Sequence, residues 1–214
     1  MNANLSVLHA IVDVDVAARA GWTPIDLARG FLDGGARVLQ LRAKDLPSGV
    51  FLDLSDAFVA LAGEYGAEII VNDRIDVARL SGAAGVHVGQ EDLPPAAARA
   101  QLGPSAIIGF STHTVAQVEG ALQEPISYIA VGPVFGTATK DTGYTARGLD
   151  LVRYAANRGK PVVGIGGITL ERARSVVEAG AAGLAVISDL LEGTDPERRV
   201  REFIALLAGN SLAG

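Results

Sequence analysis

Gln40, Arg42 and Lys44 alternate with two apolar residues. On a β-strand, this spacing places the three polar side chains on one side. If that side faces the interior, the two cations need anionic partners, because a buried unpaired charge is costly. Two interpretations stay open: salt bridges to Asp73 and Asp92, or a ligand that carries several negative charges.

Two carboxylates follow consecutive apolar runs, Asp73 after Glu68–Val71 and Asp92 after Gly85–Val88. Mg²⁺ is commonly bound by one or two carboxylates together with substrate phosphate oxygens. The pair therefore predicts a Mg²⁺ site next to the anion. Either aspartate alone would more commonly be a helix cap, and Asp92, which precedes Leu93-Pro94-Pro95, is the better candidate for that role.

A glycine-rich turn and a serine end the last two apolar runs of the chain. The turn is Val163-Gly-Ile-Gly-Gly-Ile168, and the serine is Ser188 after Ala185-Val-Ile187. Gly166 and Gly167 allow a close approach of the backbone, and the hydroxyl of Ser188 adds a donor, so this region predicts a monophosphate site. The alternative is an ordinary Gly-Gly turn without a ligand.

A long polar segment, Gly132–Gly148, follows the apolar run Tyr128–Val131. Threonine hydroxyls, amides beside glycine and Lys140 can all donate hydrogen bonds to oxyanions. A compact domain seldom keeps so long a loop unless the loop is functional or disordered. We expect an anion-binding loop, and a mobile surface loop is the alternative.

Composition excludes several classes of protein. The net charge of −6 argues against non-specific nucleic-acid binding, and the absence of cysteine removes disulfides, thiolate metal sites and cysteine nucleophiles. Three histidines without metal-ligand spacing disfavour a zinc site, and we expect His87 to be a hydrogen-bonded histidine of the interior.

Neither a secretory signal nor a stretch of about 20 apolar residues is visible, so we expect a cytoplasmic protein without membrane segments. Few lysines on an apolar chain leave room for a homo-oligomer interface.

The elements that would position these residues alternate along the chain. Eight apolar runs are predicted strands: His9–Val14, Arg37–Leu41, Glu68–Val71, Gly85–Val88, Ala106–Phe110, Tyr128–Val131, Pro161–Ile165 and Gly183–Ile187. Eight segments are predicted helices: Pro24–Asp33, Gly49–Tyr65, Ile75–Leu80, Pro94–Leu102, Val115–Leu122, Leu149–Asn157, Leu170–Ala179 and Pro196–Leu207.

Such alternation indicates an α/β protein with a parallel sheet. We predict a single (β/α)8 TIM-barrel domain over residues 1–214; a doubly wound open sheet is the alternative. In a barrel, the polar residues that follow the strands meet at one face. The residues alone then support a Mg²⁺-dependent transferase that acts on a diphosphate donor and a phosphorylated acceptor.

Six motifs, in order along almost the whole chain, resemble the thiamine-phosphate synthase family. They are Gln40-Leu-Arg-Ala-Lys44, Val71-Asn-Asp-Arg74, Gly85-Val-His-Val-Gly-Gln-Glu-Asp92, Gly109-Phe-Ser-Thr-His113, Gly132-Pro-Val-Phe-Gly-Thr-Ala-Thr-Lys140 and Gly164-Ile-Gly-Gly-Ile168. The resemblance implies that a hydroxymethylpyrimidine group is transferred from its diphosphate to a thiazole phosphate, with release of pyrophosphate.

The resemblance also implies roles for individual residues. The pyrimidine diphosphate would contact Gln40, Arg42, Lys44, Asn72 and Lys140, with Ser111 at the pyrimidine ring. Arg42, Lys44, Ser111 and Lys140 would act in catalysis, and Asp73 and Asp92 would bind Mg²⁺. The thiazole phosphate would contact Thr137, Thr139, Gly166 or Gly167, Ile187 and Ser188.

One departure from the family pattern is Gly136, where a proline is usual. The nearest alternative function is that of the related thiazole tautomerases, which resemble this chain in fold. As a family they often lack the pyrimidine-diphosphate residues and have a histidine where this chain has Pro133. A non-catalytic barrel that binds phosphorylated ligands is a further alternative.

Overall fold

The computed structural model describes residues 8–136 and 145–210. In that part of the chain the strands are β1 (Leu8–Asp13), β2 (Val38–Arg42), β3 (Glu68–Asn72), β4 (Gly85–Val88), β5 (Ile107–Thr112), β6 (Tyr128–Val131), β7 (Val162–Ile165) and β8 (Gly183–Val186). All pair in parallel in chain order, and β8 pairs with β1, so the sheet closes into a barrel. The predicted barrel is confirmed and the open sheet is excluded.

Helices surround the barrel. They are α1 (Val14–Arg19), α2 (Pro24–Asp33), α3 (Ser48–Tyr65), α4 (Ile75–Ser81), α5 (Pro95–Leu102), α6 (Val115–Leu122), α7 (Gly148–Ala155), α8 (Leu170–Glu178) and α9 (Pro196–Asn210), with a 3-10 helix at Ser188–Leu191. Within the described ranges, no helix is both long and apolar enough to cross a membrane.

The strands are buried on both faces, as their apolar runs predict. In β6, Ile129 and Val131 pack outward against the helices, whereas Tyr128 and Ala130 belong to a second cluster inside the barrel. Strand side chains alternate between the two faces, so seven of the strands contribute to both clusters, whereas the apolar side chains of β4 all belong to the outer one. The barrel interior is therefore a packed core, and ligands must bind above it.

Most predicted elements differ from the structure by one to three residues at an end, and two of these differences affect the site. The apolar run predicts a strand through Val14 and no helix directly after it. In the structure β1 ends at Asp13, whose carboxylate accepts hydrogen bonds from the amides of Asp15 and Val16 and so caps α1. Strand β5 continues to Thr112 instead of ending at Phe110, so Ser111 lies within a strand.

Candidate active site

A cavity of about 760 Å³, counting its part open to solvent, lies at the carboxyl ends of the strands. Polar side chains from β2 to β5 line one side, and the segments that follow β6, β7 and β8 line the other. The cavity brings together eight of the residues expected at the site: Gln40, Arg42, Asn72, Ser111, Gly166, Gly167, Ile187 and Ser188.

Arg42, the last residue of β2, is held by a buried carboxylate. The register of β1 and β2 places Asp13 opposite Arg42, and the guanidinium donates to Oδ2 of Asp13. The side chains of Asp13 and Arg42 are only 3% and 11% exposed. Oδ1 of Asp13 accepts from the amides of Asp15 and Val16 at 3.1 and 3.0 Å, so the start of α1 fixes the carboxylate. The ion-pair partner of Arg42 is thus Asp13, and the interpretation that Arg42 pairs with Asp73 or Asp92 is wrong.

The pair with Asp13 does not use all the donors of Arg42. Its Nε is buried and has no hydrogen-bond partner among residues 8–136 and 145–210. Gln40 and Asn72, which are also buried, line the same wall of the cavity. One anchored cation and two amide side chains therefore border the space where an anion would bind.

Lys44 is exposed and is not part of the cavity lining. The expectation that it would be buried beside Arg42 is wrong, because β2 ends at Arg42 and strand alternation no longer applies two residues later. A contact between Lys44 and an anionic ligand remains a prediction.

Asp73 and Asp92 follow neighbouring strands and are partly buried outside the cavity lining. Asp73 has φ 64°, and its amide donates to the carbonyl of His87 at 2.8 Å, which holds it against β4. Oδ2 of Asp92 accepts from the amide of Gly89 at 2.7 Å. Asp92 therefore closes the turn after β4, and the alternative that it caps the next helix is wrong: the N-cap of α5 is Pro94.

The two carboxylates suit Mg²⁺ that also binds substrate and water better than they suit a metal ion whose ligands are all protein side chains. Among the described residues there is no group of three or more His, Cys, Asp or Glu side chains that could hold a metal ion. Mg²⁺ suits a site of one or two carboxylates, because it keeps waters and takes substrate phosphate oxygens as its other ligands. The donor set is therefore compatible with an ion that binds together with a diphosphate.

Ser111 is connected to the barrel interior through a histidine. Nε2 of His87 lies 2.8 Å from Oγ of Ser111, and Nδ1 of His87 lies 3.0 Å from the hydroxyl of Tyr128. All three side chains are buried. The prediction that His87 is a hydrogen-bonded interior histidine is confirmed. The contact between Tyr128 and His87 is not predictable from the sequence, because Tyr128 is simply the first residue of an apolar run.

Gly109 makes room for this group. A Cβ atom there would lie 2.2 Å from Cζ of Tyr128 and 2.5 Å from Nδ1 of His87. We expect Gly109→Ala to destabilise the fold by roughly 1–3 kcal/mol, because the ring and the imidazole must move in a packed core. Thermal and urea unfolding measure the change.

Gly120→Ala is the matched control. Gly120 is an exposed residue of α6, and a Cβ atom there would meet nothing within 4 Å. Alanine should stabilise this helix by about 0.5–1 kcal/mol. Equal unfolding midpoints for the two variants would show that Gly109 is not required for packing.

The opposite wall of the cavity consists of closely packed backbone. Gly166 and Gly167 follow β7 with φ 96° and 62°, and the amides of Val134 and Phe135 donate to the carbonyls of Ile165 and Gly166 at 2.8 and 2.9 Å. Ile187 and Ser188 complete this wall at the start of the 3-10 helix. Four residues of the predicted monophosphate site, Gly166, Gly167, Ile187 and Ser188, therefore line one wall of the cavity, and the site itself remains a prediction. Thr137, Thr139 and Lys140 lie outside the described residues.

Comparisons with known proteins agree with the motifs. The family model described as thiamine monophosphate synthase matches residues 9–190. The thiamine-phosphate synthase of Roseiflexus sp. (strain RS-1) is 41% identical over 203 residues, which cover 94% of this chain and 85% of that protein. The enzyme of the same name from Thermus thermophilus is 44% identical, with 91% and 95% covered. The solved structure of thiamine phosphate pyrophosphorylase from Pyrococcus furiosus has a TM-score of 0.87 at 30% identity and covers 96% of this chain and 97% of its own.

Proposed function

The chain belongs to the thiamine monophosphate synthase family, and we propose that its barrel mouth binds the two substrates of that reaction at opposite walls. The activity is the transfer of a pyrimidinylmethyl group from its diphosphate to a thiazole phosphate, which yields thiamine phosphate and pyrophosphate. The observation that carries the proposal is the single cavity that has Arg42 and two amide side chains on one wall and Gly166, Gly167 and Ser188 on the other.

The diphosphate would bind at the wall formed by β2 and β3. Arg42, fixed by Asp13, would pair with its oxygens, and Gln40 and Asn72 would donate hydrogen bonds. Lys44 and Lys140 are the further cations that we assign to this group. Bound Mg²⁺, held by Asp73 and Asp92, would neutralise negative charge on the diphosphate.

The transfer would proceed by departure of the diphosphate before the new bond forms. The C–O bond breaks, its electron pair leaves with pyrophosphate, and the 4-amino group of the pyrimidine stabilises the resulting cation. The lone pair of the thiazole nitrogen then forms the C–N bond. The protein's part is to place cations where charge develops and to hold the thiazole against the pyrimidine, with Ser111 at the ring.

The thiazole phosphate would bind at the wall formed after β7 and β8. Gly166 or Gly167 and Ile187 would provide backbone amides, and Ser188 its hydroxyl. Thr137 and Thr139 are the further donors that we assign to this phosphate. Dependence on Mg²⁺, a cytoplasmic location and a homo-oligomeric state remain predictions.

The assay that tests the function uses the purified full chain with Mg²⁺ and both substrates. We expect stoichiometric formation of thiamine phosphate and pyrophosphate. Isomerisation of a thiazole carboxylate phosphate without any use of the pyrimidine diphosphate would show a tautomerase instead. Binding of both phosphorylated compounds without a product would show a non-catalytic barrel.

Ser188→Asp tests whether the two phosphates bind at separate walls. A carboxylate at this position would repel the thiazole phosphate, so the KM for that substrate should rise at least about tenfold. The KM for the pyrimidine diphosphate should change little, and steady-state kinetics with each substrate varied in turn measure both. Ser188→Asn is the control of equal size without the charge. Equal increases in both KM values would contradict a separate monophosphate site.

A further inference from the structure

Three buried side chains connect the barrel interior to the cavity. The hydroxyl of Tyr128 lies 3.0 Å from Nδ1 of His87, whose Nε2 lies 2.8 Å from Oγ of Ser111. Tyr128 is 1% exposed, and the edge of the His9 ring packs against it with the ring centroids 5.0 Å apart. Ser111 and His87 both line the cavity, whereas Tyr128 does not.

The proton of Tyr128 sets the direction of these hydrogen bonds. Burial raises the pKa of Tyr128, so its hydroxyl keeps its proton at any working pH. Nδ1 of His87 is the hydrogen-bond partner of this hydroxyl in the described ranges. A buried donor without an acceptor is costly, so Tyr128 must donate to Nδ1.

The directions of the other hydrogen bonds follow from the donors and acceptors that each side chain has. An imidazole that accepts at Nδ1 carries its proton on Nε2. Nε2–H then donates to Oγ of Ser111, which leaves the proton of the serine hydroxyl for another partner. Ser111 lines the cavity, so a ligand atom with a lone pair can accept that proton.

We propose that Tyr128 is a positioning residue that fixes the Nε2–H tautomer of His87 and thereby makes Ser111 a hydrogen-bond donor to a ring nitrogen of the pyrimidine substrate. The contact to the ring rests on the function proposed above, whereas the tautomer does not. Tyr128 never touches the substrate. It acts through His87, inside the barrel. Its effect is that the hydroxyl of Ser111 donates a hydrogen bond to the ligand instead of accepting one.

Tyr128→Phe removes the donor and keeps the aromatic ring. In ¹⁵N NMR spectra of the labelled full chain, we expect wild-type His87 to show a protonated Nε2 and an unprotonated Nδ1. Comparison with the spectrum of His87→Gln assigns the signals among the three histidines. In Tyr128→Phe the Nδ1 signal should shift, because its hydrogen bond is gone. An Nδ1–H tautomer or an imidazolium in the wild-type protein would overturn the proposal.

Kinetics test the connection to the substrate. Tyr128→Phe should raise the KM for the pyrimidine diphosphate about two- to tenfold and leave the KM for the thiazole phosphate unchanged. In a Ser111→Ala background the same substitution should cause no further loss, because the hydroxyl it orients is absent. Tyr154→Phe, which removes an exposed hydroxyl bonded to Glu119, is the control and should leave both KM values unchanged.

These experiments distinguish a failure of the positioning role of Tyr128 from a failure of the proposed enzyme activity. Additive losses in Tyr128→Phe and Ser111→Ala would overturn the positioning role, because they would show that Tyr128 acts independently of Ser111. A wild-type protein that forms no thiamine phosphate would overturn the proposed function and the ring contact with it. The tautomer of His87 would then still be decided by the NMR spectrum.

Discussion

Replacement of Arg42 by glutamine should lower kcat/KM for the pyrimidine diphosphate by about ten- to more than a hundredfold. A charge-assisted hydrogen bond contributes about 1.5–3 kcal/mol, and each 1.36 kcal/mol corresponds to about tenfold in rate. The same change should destabilise the fold by about 3–5 kcal/mol, because it leaves the buried carboxylate of Asp13 without its cation. Steady-state kinetics and urea unfolding measure the two effects.

Asp13→Asn separates these effects. Asparagine keeps the oxygen that caps α1 and removes the charge that Arg42 neutralises. In Arg42→Gln/Asp13→Asn we expect most of the lost stability to return, whereas kcat/KM stays low because the anchored cation is absent. Recovery of activity along with stability would show that Arg42 only supports the fold.

Replacement of Asp73 by asparagine should reduce turnover by more than about a hundredfold at moderate Mg²⁺. Loss of a residue that only supports a metal ligand costs about 10–100-fold, and loss of a ligand's charge should cost more. Asparagine is suited to this test because Asp73 has φ 64°, a conformation that asparagine tolerates better than alanine. The change thus removes charge without adding backbone strain.

Titration with Mg²⁺ distinguishes a metal ligand from a general catalytic residue. For Asp73→Asn and Asp92→Asn, the Mg²⁺ concentration at half-maximal rate should rise, and EDTA should abolish wild-type activity. Asp76→Asn is the matched control, because Asp76 is exposed on α4 and pairs with Arg74. Wild-type activity that withstands EDTA, together with unchanged rates in both variants, would refute the metal assignment.

The order of elements could be predicted from the sequence because each strand is apolar on both faces. β4 and β6 agree residue for residue with the apolar runs Gly85–Val88 and Tyr128–Val131. The two errors that affect the site occur where polar residues decide the boundary. Asp13 ends β1 by capping α1, and Ser111 and Thr112 continue β5 although they are hydrophilic.

The sequence predicts which residues line the site, but not which of them contact one another. Gln40, Arg42 and Asn72 line the cavity, since strand alternation and the barrel face determine where they lie. The partner of Arg42 depends on the register of β1 against β2, and no local pattern encodes that register.

Tyr128 illustrates a second limit. Its side chain meets His87 from β4 and faces Gly109 on β5. Three separate strands must be aligned before this contact exists. A sequence motif gives the residue types along one segment. The direction of a hydrogen bond depends instead on all the donors and acceptors that surround it in space.

The close backbone contact between the segments after β6 and β7 limits which substitutions this sequence can accept. A Cβ atom at Gly132 would lie 2.4 Å from the carbonyl oxygen of Ile165, one at Gly166 would lie 2.6 Å from Cα of Pro133, and one at Gly167 would lie 2.4 Å from the carbonyl oxygen of Gly136. Each obstacle is a backbone atom, so a smaller side chain at the neighbouring position cannot make room. In a library of random variants, substitutions at these three positions should be lost in every genetic background, and no second-site suppressor that changes only a side chain should recover them.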